Sequence, residues 1–360
     1  MGGQLSTLLQ RLGVVGEVVR SLLGQSEPIT CPVMLKPALK AVWPDLKSME
    51  VWKFGEGERA DYASVRLERA GGSEEVFVKY RPMWDFSPRH HQRFLNEILY
   101  LREFAPLVNI PHAALKGAQH NSQTFKAHLI LENLESRCMQ WSDLPEPERF
   151  ARVNRVVELL ASFHAQWMLH PSLKKHPSHP WGDHLPRLLQ KHRTALKQPP
   201  EGIAAEMRNT VLQLLEPGRL EEIYAPARHI TLCHGDFHFG QVLVDRLNRD
   251  RLYLIDYEHT AVTPLGFDLA HFLGVRFNWF ERTHLEAALL DGYLHALQQH
   301  GVLLSREELL QEYRVGLLHN FLLMWSRCQK EPIPMFHELL QRLWVALQEH
   351  QVLQPAAVLR

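Results

Sequence analysis

The chain has no excess of charge, no closely spaced cysteines and no long apolar run. Lys plus Arg and Asp plus Glu number 40 each among 360 residues. A nucleic-acid binder usually carries a basic excess, and nothing in this balance points to one. Cys31, Cys138, Cys233 and Cys328 lie far apart, with no Cys-x-x-Cys among them. They read as reduced, mostly buried thiols of a cytoplasmic protein, not as a disulfide frame or a zinc site. The 22 histidines are scattered and include no His-Glu-x-x-His metal motif. No apolar stretch reaches the roughly 20 residues that cross a bilayer, so no transmembrane segment is expected. Residues 5–23 come nearest, but Arg11, Glu17 and Arg20 interrupt them. That stretch reads as an amphipathic leader helix, without the charged start and small-residue cleavage site of a secretory signal. The opening Met1-Gly2-Gly3-Gln4-Leu5-Ser6 fits the short N-myristoylation pattern. Internal repeats and low-complexity tracts are missing too.

What is present is a change of texture along the chain. Residues 49–54, 62–68 and 75–80 carry strand-forming patterns. The turns Gly55-Glu56-Gly57-Glu58 and Ala70-Gly71-Gly72-Ser73 separate them. Together they predict an antiparallel meander. Ser87-Pro88 supplies a cap and a first-turn proline for a helix striped by Phe94, Ile98, Leu99 and Leu101. Residues 126–131 read as a further strand, left by Glu132-Asn133-Leu134. From about residue 144 long helices take over: residues 147–168 repeat Val153, Val156, Val157, Leu160 and Phe163 at helical steps. A proline- and histidine-rich loop at 171–181, helices at 183–196 and 201–223, and a strand–turn–strand segment at 230–256 follow. Three helices from about residue 285, the last at 334–351, close the chain. The expected organisation is a leader helix at 1–25, a small β-rich lobe at 26–135 and a larger, mostly helical lobe at 136–360.

The chemistry concentrates in one stretch, His234-Gly235-Asp236-Phe237-His238-Phe239-Gly240-Gln241, followed by Leu254-Ile255-Asp256-Tyr257-Glu258. Phosphoryl transfer asks little covalent chemistry of a protein: a carboxylate for the acceptor hydroxyl, and oxygen ligands that hold a divalent ion against the phosphates. Asp236 lies on a loop after a short strand. Gln241 follows at the Asp-to-amide spacing of a kinase catalytic loop. Asp256 ends an apolar strand, and the segment between Gln241 and Asp256 reads as a β-hairpin. An aspartate at a strand end also serves as a simple cap, but the three residues together favour a metal-assisted site.

These residues resemble the catalytic loop of the aminoglycoside phosphotransferase and choline kinase superfamily, whose loop runs HGDxHxxN ahead of an "IDxE" strand. Gln241 stands where most members have Asn, and the HGDxHxGQ form resembles more closely that of maltokinases. The resemblance implies an α+β fold, bilobal and protein-kinase-like, with a small antiparallel-sheet N-lobe and a larger helical C-lobe. It implies ATP and Mg2+ as cofactors. It implies Asp236 as catalytic base, with His238 shaping the loop, and Asp256 with Gln241 as metal ligands. His234 and Asp268, the latter in Pro264-Leu265-Gly266-Phe267-Asp268-Leu269-Ala270, would support the loop. Asp268 also fits an N-cap for residues 269–274. The segment Leu160-Ala161-Ser162-Phe163-His164 resembles a family helix, in which His164 reads as a buried core histidine. On the nucleotide side the resemblance assigns Lys79 of the third strand to the phosphates, oriented by Glu97 of the next helix. Gly55 and Gly57 would stand at the phosphate-covering turn, and Glu132 at the adenine hinge.

The acceptor is less legible. From His271 to the end there are nine Asp or Glu and eight Lys or Arg, a balance that suits a neutral sugar or polyol better than a polycation. Glu258, Trp279 and Glu281 are the candidate contacts, with Trp325 a further aromatic face. The expectation is therefore an ATP- and magnesium-dependent kinase of a small-molecule hydroxyl. A choline-, ethanolamine- or aminoglycoside-type kinase and a catalytically weak regulatory or binding module on the same fold stand as alternatives. A protein kinase is disfavoured, because Asp256 is followed by Tyr257-Glu258 and not by Phe-Gly.

Overall fold

The structure, a computed structural model, describes Val15 and Gly16, residues 27–57 and residues 59–354. The Gly2 motif and nearly all of the expected leader helix lie outside the described residues. The chain divides into two compact units. One comprises Met1–Met139 and Leu243–His259, the other Gln140–Val242 and Thr260–Arg360.

In the first unit the expected meander forms as β1 (Ser48–Gly55), β2 (Asp61–Arg69) and β3 (Gly72–Tyr80). Two more strands, β4 (Leu115–Asn121) and β5 (Lys126–Glu132), complete a five-stranded antiparallel sheet of order β1-β2-β3-β5-β4. β4 has no sequence signal, because its residues Leu-Lys-Gly-Ala-Gln-His-Asn pair on one side only and bury little. Strand alternation sends Val76 and Val78 into a core with Leu35 and Leu39 of α1 (Leu35–Val42). Phe77 and Lys79 therefore share the opposite face. Helix α2 (Pro88–Leu99) starts as expected, with the Ser87 hydroxyl accepting from the His90 N–H at 3.3 Å.

The segment 243–259 was assigned with the helical part by sequence. It packs in the first unit because three interactions tie it there. β8 (Val242–Asp245) and β9 (Leu252–Leu254) form a sheet with β6 (Cys138–Gln140). Arg137 pairs with Asp245 at 2.9 Å, and the Tyr257 ring stacks on Tyr100 with centroids 4.0 Å apart.

The second unit is built on α3 (Glu146–Met168), whose buried stripe includes Val153, Val156, Val157, Leu160 and Phe163. Helix α4 (Trp181–Leu196) follows. The single helix expected at 201–223 is instead α5 (Ala205–Leu212) and α6 (Arg219–Tyr224). Pro217 and Gly218, the latter at φ +80°, break the run. Strands β7 (Ile230–Cys233) and β10 (Ala261–Pro264) pair antiparallel. After them come the short helix α7 (Gly266–Ala270), extended by a π-helical turn at His271–Val275, then α8 (Trp279–Gln299), α9 (Arg306–Lys330) and α10 (Pro334–Glu349).

One close crossing fixes where α7 lies. A Cβ on Gly266 would stand 1.9 Å from the Glu312 carbonyl oxygen, and one on Gly316 would stand 1.9 Å from the Gly266 oxygen. Only two glycines let these backbones approach so closely. The contact presses α7, with the residues that follow it, onto α9.

No helix among the described residues is long and apolar enough to cross a membrane. All four cysteines are unpaired, and Cys138, Cys233 and Cys328 are buried.

Candidate functional site

In the first unit, β3, α2 and the segment after β9 meet at Lys79. Its ammonium donates to Glu97 Oε2 at 2.7 Å and to Asp256 Oδ1 at 2.9 Å. Burial alone would lower the Lys79 pKa, but Asp256, Glu97 and Glu258 outweigh it and hold the group above its ordinary value. The carboxyl of Glu97 is almost fully buried, and burial pushes it up to about 7 even though the Lys79 ammonium pulls the other way. Asp256 is held at φ +65°, a left-handed conformation that non-glycine residues seldom adopt and that aspartate tolerates better than most. Glu103 is exposed on the π-helical turn Tyr100–Phe104 and takes no part.

The turn before β2 differs from expectation. The Gly57 N–H already donates to the Ala60 carbonyl at 3.0 Å. Gly55 is explained by packing: a Cβ there would fall 2.0 Å from the Tyr62 ring. Glu132 ends β5, with its own N–H on the Ala114 oxygen at 2.8 Å and its carboxylate accepting from the Ala114 N–H at 3.3 Å. Glu258, expected near the acceptor, belongs instead to the first unit beside Lys79. It pairs with Arg59 at 3.0 Å and with His259 at 3.1 Å. Burial would raise its carboxyl, but His259, Lys79 and Arg59 pull it down to about 2.

In the second unit the loop after β7 carries His234 to Gln241. Gly235 adopts φ +82°, which glycine enters without strain. The N–H groups of His234 and Gly235 donate to the two oxygens of Asp268 at 2.5 and 2.8 Å. Asp268 is not the N-cap of its helix: it lies inside α7, and Leu265 occupies the cap without a side-chain bond. A third bond comes from His164 Nε2 at 3.2 Å, while His164 Nδ1 meets the Tyr293 hydroxyl at 2.6 Å. Among the described residues, His164, Cys233 and Asp268 also form a cluster of potential metal ligands. Their polar atoms are engaged: the Cys233 thiol donates to the Pro264 oxygen at 3.3 Å. The cluster therefore acts as a buried hydrogen-bonded knot beneath the loop.

Asp236 is half-buried, and its Oδ1 is contacted by two residues that sequence reasoning missed. His271 Nε2 lies 3.1 Å away, and the Arg276 guanidinium donates at 3.1 Å. His271 Nδ1 meets Asn320 Oδ1 at 2.9 Å. The Asn320 amide donates to the Phe267 and Gly316 carbonyls, both at 2.9 Å, which leaves its oxygen to accept from the ring. Burial would raise the Asp236 carboxyl, but His271, His238 and Arg276 hold it well below its usual range. His238 Nδ1 accepts from the Gly240 N–H at 2.9 Å, and its Nε2 stands 3.8 Å from Asp236 Oδ2. Burial and Arg276 lower His238 to about 4, so it is neutral at pH 7 with its proton on Nε2. Gln241 is buried in the short 3-10 turn Phe239–Gln241.

A cavity of about 380 Å³ opens beside this loop, lined in part by Trp141, Arg149, Phe239, Gly240, Arg276 and Glu281. Glu281 also closes a capping box at the start of α8, accepting from the Asn278 N–H at 2.9 Å. Trp279 points elsewhere, donating to Glu349 at 2.9 Å. Trp325 is wholly buried and bonds the Ala195 carbonyl, so it is a core residue and not a platform. The stacked pair Trp141 and Phe239, centroids 5.0 Å apart, supplies the aromatic face instead.

A family model described as the APH phosphotransferase enzyme family matches residues 85–309, well over half of the chain. The chain belongs to that family. Among solved structures, the GDP complex of the wild-type aminoglycoside 2'-phosphotransferase-IIIa is similar with a TM-score of 0.57 at 13% identity. That alignment covers 88% of this chain and 98% of the other. An ethanolamine kinase of Plasmodium vivax follows at 0.53 and 13%, covering 90% and 91%. A choline kinase from Cryptosporidium parvum scores 0.51 at 13%, covering 84% and 89%. At such identities the likeness is one of fold, and the α+β, protein-kinase-like fold expected from the sequence is the one this phosphotransferase-family chain adopts. No curated protein matches the chain in sequence.

Proposed function

We propose that this family member transfers the γ-phosphoryl group of ATP to a hydroxyl of a small molecule, with a sugar or polyol as the acceptor type. The observation that carries the reading is Lys79, shared at hydrogen-bond distance by Glu97 and Asp256. These residues come from segments far apart in sequence. They provide a cation for the phosphates, a buried carboxylate that orients it, and a carboxylate oxygen for a hard divalent ion. Asp256 and Gln241 offer oxygen donors of the kind Mg2+ takes; when bound, the ion neutralises charge on the phosphates. Asp256 reaches this place with its backbone in the left-handed region and its Oδ1 on the Lys79 ammonium.

Asp236 orients the acceptor hydroxyl. As the new O–P bond forms and the bond to the β-phosphate oxygen breaks, ADP leaves and the hydroxyl proton passes to Asp236. A carboxylate held below its usual pKa takes that proton late, which suits a loose transition state in which the acceptor oxygen keeps its proton until bond formation is advanced. His238, neutral and hydrogen-bonded to the Gly240 N–H, keeps the loop in shape. The aromatic pair Trp141 and Phe239 favours a sugar-sized ring against the cavity wall.

The test is ADP release by the purified protein with magnesium, across sugars, polyols, amino alcohols and aminoglycosides. Acceptor-dependent release abolished by Asp236→Ala, with nucleotide binding kept, is the expected result. Undiminished turnover in Asp236→Ala would overturn the mechanism.

A further inference from the structure

The cavity beside the catalytic loop holds two guanidinium groups with buried Nε atoms that have no hydrogen-bond partner, those of Arg149 and Arg276. Each is an unusual expense in a folded protein, since a buried donor left unpaired is destabilising, more so on a charged group. Arg276 spends one terminal nitrogen on Asp236 and still has Nε unmatched. Arg149 stands in the first turn of α3. Two carboxylates also line the space. Glu281 already accepts the Asn278 N–H in its capping box, and Glu146 is exposed at the start of α3. The Nε atoms themselves are closed off, but the terminal nitrogens of Arg149 have no hydrogen-bond partner among the described residues, and they stand in the cavity lining close to a stacked aromatic wall where acceptor atoms would satisfy them.

We infer that the acceptor of this kinase carries an oxyanion, a carboxylate or a phosphate, besides the hydroxyl that is phosphorylated, and that Arg149 with Arg276 binds it. A planar guanidinium matches either oxyanion through paired N–H donors, which an ammonium cannot do. Beside two guanidinium groups an oxyanion gains paired hydrogen bonds that the positively charged aminoglycosides, ethanolamine and choline cannot make, while Glu281 is engaged in its capping box and Glu146 is exposed at the rim. A volume of about 380 Å³ accommodates a monosaccharide-sized acid or ester. This inference rests on the reading of Asp236 as the group that receives the acceptor hydroxyl.

The experiment uses the full chain with magnesium and ATP and compares matched pairs: glucuronate with its methyl ester, glycerate and glycerol 3-phosphate with glycerol, and choline as a cation. The expected result is that an anionic member exceeds its neutral partner in kcat/KM by about tenfold or more, the size of a charge-assisted hydrogen bond. Preference for glycerate and glucuronate identifies a carboxylate, preference for glycerol 3-phosphate a phosphate. Arg149→Gln should raise the KM of the preferred anion about tenfold to a hundredfold with a much smaller change in kcat, and Arg149→Lys should restore part of it. Should none of these compounds turn over, the same anions are titrated calorimetrically into protein saturated with a non-hydrolysable ATP analogue. Binding lost in Arg149→Gln supports the inference, and no binding overturns it. Equal use of neutral and anionic partners, preference for choline, or an unchanged KM in Arg149→Gln also overturns it. Failure of the analogue itself to bind would refute the kinase reading instead, which separates the two.

Discussion

His271 stands with Nε2 3.1 Å from Asp236 Oδ1 while Asn320 fixes its other ring nitrogen. It lies one helical turn after Asp268, whose carboxylate takes the N–H groups of His234 and Gly235. The short helix α7 and the π-helical turn that extends it thus hold both the backbone of the loop at 234–241 and the side chain of Asp236.

Removing that control should misplace Asp236 without disturbing nucleotide binding. His271→Ala is expected to lower kcat by about tenfold to a hundredfold, the scale of small misplacements of a reacting group, with the KM for ATP unchanged. His271 is among the groups that hold the Asp236 carboxyl low. Its loss should therefore move the acid limb of the kcat/KM profile to higher pH. A merely structural role would leave that limb in place, and a pH–rate series on the variant decides.

The ion triad of the first unit should fail asymmetrically. Lys79→Met leaves the buried Glu97 carboxylate unpaired, which costs on the order of 3–5 kcal/mol. It should weaken ATP binding as well. Asp256→Ala leaves the Lys79–Glu97 pair intact, so urea unfolding should show a smaller loss of stability. Magnesium-dependent nucleotide binding, read by calorimetry with and without the metal, should nevertheless disappear.

Gly316→Ala tests the crossing of α7 on α9. Its Cβ would meet backbone at 1.9 Å, so a loss of about 1–3 kcal/mol is expected from overpacking. Activity should fall further than that loss explains, because α7 carries Asp268 and leads into His271. Gly292→Ala is the control: it lies mid-helix in α8, its Cβ would come no nearer than 4.0 Å to a neighbouring atom, and it should gain up to about 1 kcal/mol in helix propensity.

Asp268 should make stability sensitive to acid. Burial pushes its carboxyl up, but His164, His234 and the Gly235 N–H outweigh this and hold it below the ordinary value. A carboxyl depressed in the folded state contributes stability that is present above its unfolded pKa of about 3.9. That contribution is lost as pH falls through the folded value. Asp268→Asn should therefore lower the urea midpoint at pH 6 and narrow its difference from wild type as pH falls below 4.

The meander, α2 and its cap, the long α3 and the terminal helices were legible because each rests on local rules: alternation, helical spacing, turn residues and caps. The helix expected at 201–223 failed because its apolar spacing outweighed Pro217 and Gly218 in the reading. β4 escaped because an edge strand that buries little carries no alternation. Trp325 and Trp279 show the limit for the site. An aromatic in a helix looks the same in sequence whether it faces a ligand, a neighbouring carboxylate or the core.

By itself the sequence determined the family's loop, the strand that carries Lys79 and the carboxylates available for phosphoryl chemistry, since these depend on residue type and short spacing. Tertiary structure alone decided that segment 243–259 packs in the first unit, that Asp268 works from inside a helix, and that His271, Arg276 and Asn320 govern Asp236. Those relationships join residues 33 to 157 positions apart through backbone approach and burial. No local pattern encodes which distant partner will fill a given hydrogen bond.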